Sequence, residues 1–185
     1  QAAQQLVANA MSAGETIFPA SAKVQQKAPA KPRHSSSGII VEGLDNCMVK
    51  FSKCCTPVPG DPVVGFITRG YGVSVHRTDC PNATPEKQQA EPGRWVQVSW
   101  VDSDQEYYQT SLEISAKDRD GLALDVAMAL STQKVKVNNL SARSQPDGYA
   151  TVYLVLSVKD KSELASVINK LSQVQGVFLV KRAGG

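Results

Sequence analysis

The chain has 185 residues, of which 42% are hydrophobic and 20% charged, and its formal net charge is +3. That length and composition leave room for one domain or two small ones of ordinary globular type. They exclude a polycation that holds nucleic acid by bulk charge alone, and no apolar run is long enough to span a membrane.

The chain begins at Gln1 in helix-like sequence, with no initiator Met and no secretory signal pattern. It reads as a piece of something longer, with residues 1–18, QAAQQLVANAMSAGETIF, as the end of a preceding helical region. Residues 19–38, PASAKVQQKAPAKPRHSSSG, hold three prolines, four serines and cations at 23, 27, 31 and 33 with no acid. Such a stretch cannot bury enough apolar surface to offset its ordering entropy, and is expected to be a flexible basic linker.

The texture changes at Ile39. GIIVEGLD, NCMVKFSKC, GDPVVGFIT and GVSVHRTDC are short apolar or alternating runs cut by Gly and Pro, the pattern of β-strands with tight turns. ATPEKQQAEPG, residues 83–93, reads as a polar loop, and RWVQVSWV, residues 94–101, as one alternating strand. Residues 39–101 are therefore expected to form a small β-rich module.

Residues 107–185 have another rhythm. YQTSLEISAKD is a strand; RDGLALDVAMALSTQ a helix with apolar positions at 122, 124, 126, 127, 128 and 130; KVKVNNLSARS a strand ending at the turn signal PDG. YATVYLVLSVKD is a strand, KSELASVINKLSQV a helix with Ser162 as its expected cap, and GVFLVKR a closing strand. The order βαββαβ is the ferredoxin-like plan: four antiparallel strands backed by two helices, giving an α+β class overall.

Four cysteines remain to be placed: Cys47, Cys54, Cys55 and Cys80. Adjacent Cys54 and Cys55 would point to opposite faces of a strand, so sharing one metal requires the backbone to turn there, and TPVPGD follows directly. His76 stands four residues before Cys80, a spacing that brings both to one face of a helical turn. Cys54, Cys55, His76 and Cys80 would make a Cys₃His set suited to structural zinc. Asp79 is a candidate acceptor for the His76 ring. A module of this size gains from the folding energy that a metal supplies. Unrelated buried thiols and redox or disulfide chemistry remain alternatives. Cys47, in NCMVKF, reads as a small buried hydrophobe.

Catalysis finds no support in the sequence. The two histidines are His34, in the expected linker, and His76, and there is no GxSxG, Walker-type loop or HExxH.

VEGLDNCMVKFSKCCTPVPGDPVVGFITRGYGVSVHRTDCPN closely resembles the C-terminal regulatory half of long RelA/SpoT-homologue proteins. AKDRDGLALDVAMALS is similar to the start of the ACT domain that follows that block in the family. The resemblance spans about residues 39–183. It implies a bacterial, cytoplasmic stringent factor that makes or hydrolyses (p)ppGpp, whose catalytic domains lie N-terminal to this region and are restrained or released by it. It implies a zinc-finger-like module holding zinc on Cys54, Cys55, His76 and Cys80. It also implies contact with the ribosome and an uncharged tRNA.

Lys50, Lys53, Arg69 and Arg77 are the candidate RNA-binding residues, suited to phosphate contacts that position without reading sequence. The alternative function is amino-acid sensing. ACT domains often bind amino acids at the loop after their first strand, here KDRDGL, so Asp118, Gly121 and Leu122 are candidates, with Asn138 on the next strand. The competing role for Asp118 or Asp120 is to cap the helix. Side-by-side pairing of such sheets would make a homodimer.

Overall fold

A computed structural model describes residues 37–70, 72–103, 105 and 107–184. The expected helical end at 1–18 and nearly all of the expected linker at 19–38 lie outside the described residues.

The first module contains β1 (Ile39–Val41), β2 (Met48–Phe51), β3 (Val63–Ile67) and β4 (Gly72–Arg77), then α1 (Pro85–Ala90), β5 (Trp95–Val96) and β6 (Val98–Trp100). One sheet runs β2-β4-β3-β5, and β1 pairs with β6 in a separate antiparallel ribbon. The β3–β4 pair is an antiparallel hairpin, whereas β2 joins β4 in parallel. In β4 the strand period of two puts Val73 and Val75 on one face, where they are buried with Ile39 and Val41. Gly65 in β3 is where three valines converge: a Cβ there would stand 2.7 Å from Val73, 2.8 Å from Val98 and 2.9 Å from Val96.

Two expectations fail here. The stretch 83–93, expected as a loop, contains α1 and a 3₁₀ turn at Pro92–Arg94. Pro85 opens α1, where its missing N–H costs nothing, and a helix of six residues is too short to show a periodic stripe. The expected single strand at 94–101 is two. It breaks at Gln97, so that β5 adds to β3 while β6 pairs with β1. An alternating pattern reports which face is buried but not which partner buries it.

The second module is β7 (Tyr108–Lys117), α2 (Leu122–Thr132), β8 (Lys136–Ser144), β9 (Tyr149–Val158), α3 (Lys161–Ser172) and β10 (Val177–Arg182). Its antiparallel sheet runs β10-β7-β9-β8, the ferredoxin-like arrangement expected from the element order. Leu112, Ile114, Val152, Leu154 and Leu156 alternate inward and meet Val126, Leu130, Leu164, Val167 and Leu171 of the helices. Each such burial contributes roughly 1.5–3 kcal/mol.

Details of both helices differ from expectation. Asp160, not Ser162, caps α3: its Oδ1 accepts the Glu163 N–H at 2.8 Å. On α2 the stripe is narrower than its composition, since Leu124 is 63% exposed and Met128 59%.

The two modules share their packing. Val58, from the loop after β2, is buried in the core of the second module. Phe51, Trp100 and Tyr108 form an aromatic cluster across the junction, each ring pair 5.6 Å apart. Among the described residues no helix is long and apolar enough to cross a membrane.

Candidate metal centre

The adjacent cysteines sit in a turn, not in a strand. After β2 the chain folds back at Ser52, whose carbonyl accepts the N–H groups of Cys55 (3.4 Å) and Thr56 (2.9 Å). Thr56 takes a positive φ of 40°. This turn frees Cys54 and Cys55 from strand alternation. His76 comes from β4 and is buried, held opposite Val64 by the hairpin. Cys80 follows in a turn closed by its own N–H donating to the Arg77 carbonyl at 3.1 Å. The helical turn expected for HRTDC is thus a strand end followed by a tight turn, which serves the same convergence.

Donor atoms of Cys54, Cys55, His76 and Cys80 all lie within 4.8 Å of one another. Cys54 Sγ is 3.4 Å from both His76 Nδ1 and Cys80 Sγ, and Cys55 Sγ is 3.9 Å from His76 Nδ1. Four ligands about 2.0–2.3 Å from a zinc ion would stand roughly 3.5–3.8 Å apart, so the donor set fits a tetrahedral cation. Cys55 and Cys80 are buried and Cys54 half-buried. Cys55 Sγ accepts the Arg77 N–H and Cys80 Sγ the Asn82 N–H, each at 3.4 Å. Such donors stabilise thiolate charge.

Without a cation, Cys55, Cys80 and His76 favour their neutral forms and Cys54 does not. Burial pushes the Cys55 thiol up to about 12, against the opposing Arg77 N–H and with the neighbouring Cys54 and Cys80 adding to the rise. Burial likewise raises Cys80. Burial also opposes ionisation of Cys54, but hydrogen bonds with Asn82, Ser52, Cys80 and Cys55 outweigh it and bring that thiol below its ordinary value. Burial lowers His76, with the Lys87 charge adding to the effect. A bound dication reverses this logic for every thiol that it touches. Asp79 does not hold the His76 ring. It is bound by Arg77, whose Nε donates to Asp79 Oδ1 at 2.8 Å. Cys47 lies outside the cluster, half-buried against the first module's core.

The candidate RNA-binding residues are spread along the sheet. Lys50, on β2, and Lys53, in the turn before Cys54, are exposed. Arg69, also exposed, sits in the β3–β4 turn, at the opposite end of β4 from Arg77. Arg77 is half-buried and committed to Asp79.

In the second module, Asp118, Gly121 and Leu122 line a cavity of about 580 Å³ with Arg119 and Arg143. Gly121 is itself the cap residue of α2, with φ +77°, and neither Asp118 nor Asp120 caps it. Asn138 stands apart, at the β8 bulge, where its Nδ2 donates to Ser157 Oγ at 2.9 Å. Arg119 was not singled out from the sequence. Its guanidinium pairs with Asp125 at 2.5 Å and donates to the Gln175 carbonyl.

Comparison with known proteins agrees with this architecture. Residues 39–101 match the RelA/SpoT RIS domain and residues 104–182 an ACT domain. The chain is 39% identical over 155 residues to a bifunctional (p)ppGpp synthase/hydrolase RelA of Mycobacterium tuberculosis, covering 83% of this chain and 21% of that protein. It is 35% identical over 180 residues to a GTP pyrophosphokinase of Escherichia coli, covering 96% of this chain and 24% of that one. An ACT domain crystal structure from a GTP pyrophosphokinase of Chlorobium tepidum is 26% identical, covers 41% of this chain and 97% of that one, and superposes with a TM-score of 0.38. The chain thus spans about a fifth to a quarter of the length of the curated relatives it matches. With its RIS and ACT domains side by side in one polypeptide, the chain belongs to the RelA/SpoT family.

Proposed function

We propose that this chain is the non-catalytic regulatory region of a (p)ppGpp synthetase/hydrolase, reporting ribosome state to catalytic domains N-terminal to it in a cytoplasmic bacterial protein. The observation that carries this reading is the four-donor cluster within the segment that matches the RIS domain. A zinc ion on Cys54, Cys55, His76 and Cys80 holds the module rigid, and its exposed cations Lys50, Lys53 and Arg69 contact the phosphates of rRNA and of an uncharged tRNA. Arg77, half-buried and paired with Asp79, is less available to RNA than the other three. Phosphate contacts of this kind fix orientation without base readout.

Ribosome co-sedimentation tests the reading. The chain pellets with ribosomes, and more of it does so when deacylated tRNA fills the A site. Pelleting that is indifferent to tRNA and vanishes at moderate salt is the behaviour of non-specific charge, and rejects it.

A second reading is favoured by the cavity at Asp118, Gly121 and Leu122. There a free amino acid binds, its carboxylate near the N-terminus of α2, with Asn138 at most an indirect contributor, and the second module regulates the catalytic domains as a metabolite sensor. Binding to the folded state raises Tm with ligand concentration. No shift with any of the twenty amino acids removes this reading. Edge pairing along β8, exposed over almost its whole length, would serve a homodimer.

A further inference from the structure

The loop that carries two of the four metal donors is gripped by the other module. Arg182, the last residue of β10, sends Nη1 to Asp61 Oδ2 at 2.7 Å and Nη2 to the Thr56 carbonyl. Asp61 Oδ2 also accepts the Val58 N–H at 2.9 Å. The pair is nearly dry, with side-chain exposures of 13% for Arg182 and 4% for Asp61. Thr56 immediately follows Cys55, and its N–H, donating to the Ser52 carbonyl at 2.9 Å, closes the turn that carries both cysteines. Two residues beyond Arg182, the backbone lies directly on a donor residue: a Cβ on Gly184 would stand 2.6 Å from the Cys54 carbonyl oxygen.

A buried ion pair adds little net stability, because desolvating both charges offsets their attraction. What it does is fix geometry. A guanidinium presents rigid, planar donors, and here two of them hold a carboxylate and a carbonyl at the two ends of one short loop.

We propose that Arg182 is a positioning residue for the metal loop, so that docking of the second module's last strand and retention of the metal are energetically coupled. The inference rests on the metal reading given above. The coupling is reciprocal. A loop shaped by Arg182 binds metal more tightly, and a loop filled with metal holds β10 more firmly. The ACT domain is then a structural part of the metal site in addition to any ligand role, and metal loss is felt at the end of β10.

The test uses Co(II) as a spectroscopic substitute for zinc, titrated into the full chain against a competing chelator. Arg182→Met is expected to weaken Co(II) retention by between about 5- and 150-fold, the range of ordinary coupling between sites. Arg182→Lys, which keeps the charge but not the fork, falls between. Lys181→Met serves as the control, since Lys181 pairs with Glu113 on the open face of the sheet and its loss leaves Co(II) retention unchanged. In the wild type, stripping the metal is expected to speed amide exchange at Ala183, whose N–H donates to Ser111 within the second module, while Leu112 and Ile114 stay protected. This arm needs no variant to fold. Equal Co(II) retention in wild type and Arg182→Met, or unchanged Ala183 exchange on stripping, overturns the coupling alone. A wild type with no thiolate–cobalt absorption overturns the metal reading and the coupling with it.

Discussion

The Trp100 indole lies nearly parallel to the Phe51 ring, with centroids 5.6 Å apart and planes 16° from parallel. Its Nε1–H donates to the Asp61 carbonyl at 2.9 Å, and the Tyr108 ring meets both aromatics edge-on. One side chain of β6 thereby touches the end of β2, the metal loop and the first strand of the second module. Trp100→Ala should lower stability by about 2–4 kcal/mol, from lost burial and lost ring contacts. Trp100→Phe should cost less than half as much, since only the hydrogen bond and part of the area go. Urea melts of the three proteins check this order.

Gly65→Ala should destabilise by about 1–3 kcal/mol. The added methyl would meet three valine side chains closer than 3.0 Å, and these come from β4, β5 and β6, so no single shift relieves all three. A melt equal to wild type would mean that the valines rearrange freely.

Metal content should be near one zinc per chain in protein prepared without chelator. Cys54→Ser and His76→Ala should both lose it, because each removes one of four converging donors. With free metal a thousandfold above Kd, loading contributes about 4.1 kcal/mol to stability, and the same amount should be missing from stripped protein. Mass spectrometry of intact protein and paired melts with and without chelator provide the measurement.

Stripped protein should also lose stability in alkali. Cys55 in the fold ionises only at about 12, against an ordinary 9.0. Between those values an unfolded chain has given up that proton while the folded one still holds it, so stability falls as pH rises. Below pH 9 the effect is absent. Metal-loaded protein, whose thiolates are already formed, should show no such loss over the same interval. Melts from pH 8 to 11 with and without metal distinguish the two.

Asp160→Ala should cost about 1 kcal/mol. It removes the acceptor for the Glu163 N–H at the start of α3. Asp160→Asn should recover most of it, and Ser162→Ala should be near neutral, since Ser162 does not cap this helix. Thermal melts rank the three.

Much of the fold could be read from the chain because its strongest signals are periodic. β7, β9, α2 and α3 are long enough for a period of 2 or 3.6 to declare itself, and residue type and spacing single out the four side chains whose donor atoms converge. What escaped was short or depended on partners. α1 spans too few residues for a stripe, and the break at Gln97 is set by which strands receive β5 and β6. The parallel pairing of β2 with β4 leaves no local trace. Asp61 was hidden within a turn motif, Pro59-Gly60-Asp61, that also serves as a binding partner. Arg182 looked like any cation at a strand end, because the contact it makes spans 121 residues of sequence. Asp79 was assigned to His76 by proximity in sequence, but Arg77, two residues away, holds it in the fold. Asn138 lies on the strand that follows the ligand loop's helix, but near its start, where β8 pairs with the Ser157 end of β9, while the loop after Lys117 lies at the Tyr149 end.

The grip of β10 on the metal loop also imposes an order in time. A growing polypeptide presents Cys54, Cys55, His76 and Cys80 well before it reaches Arg182. At typical rates of synthesis, residues 81–182 take roughly 5–20 s to be added. For that interval a nascent chain has every donor and none of the clamp, so early metal capture would act on a looser loop. The site is finished only when the last strand arrives, and a chain stalled short of it carries the ligands without the geometry that holds them.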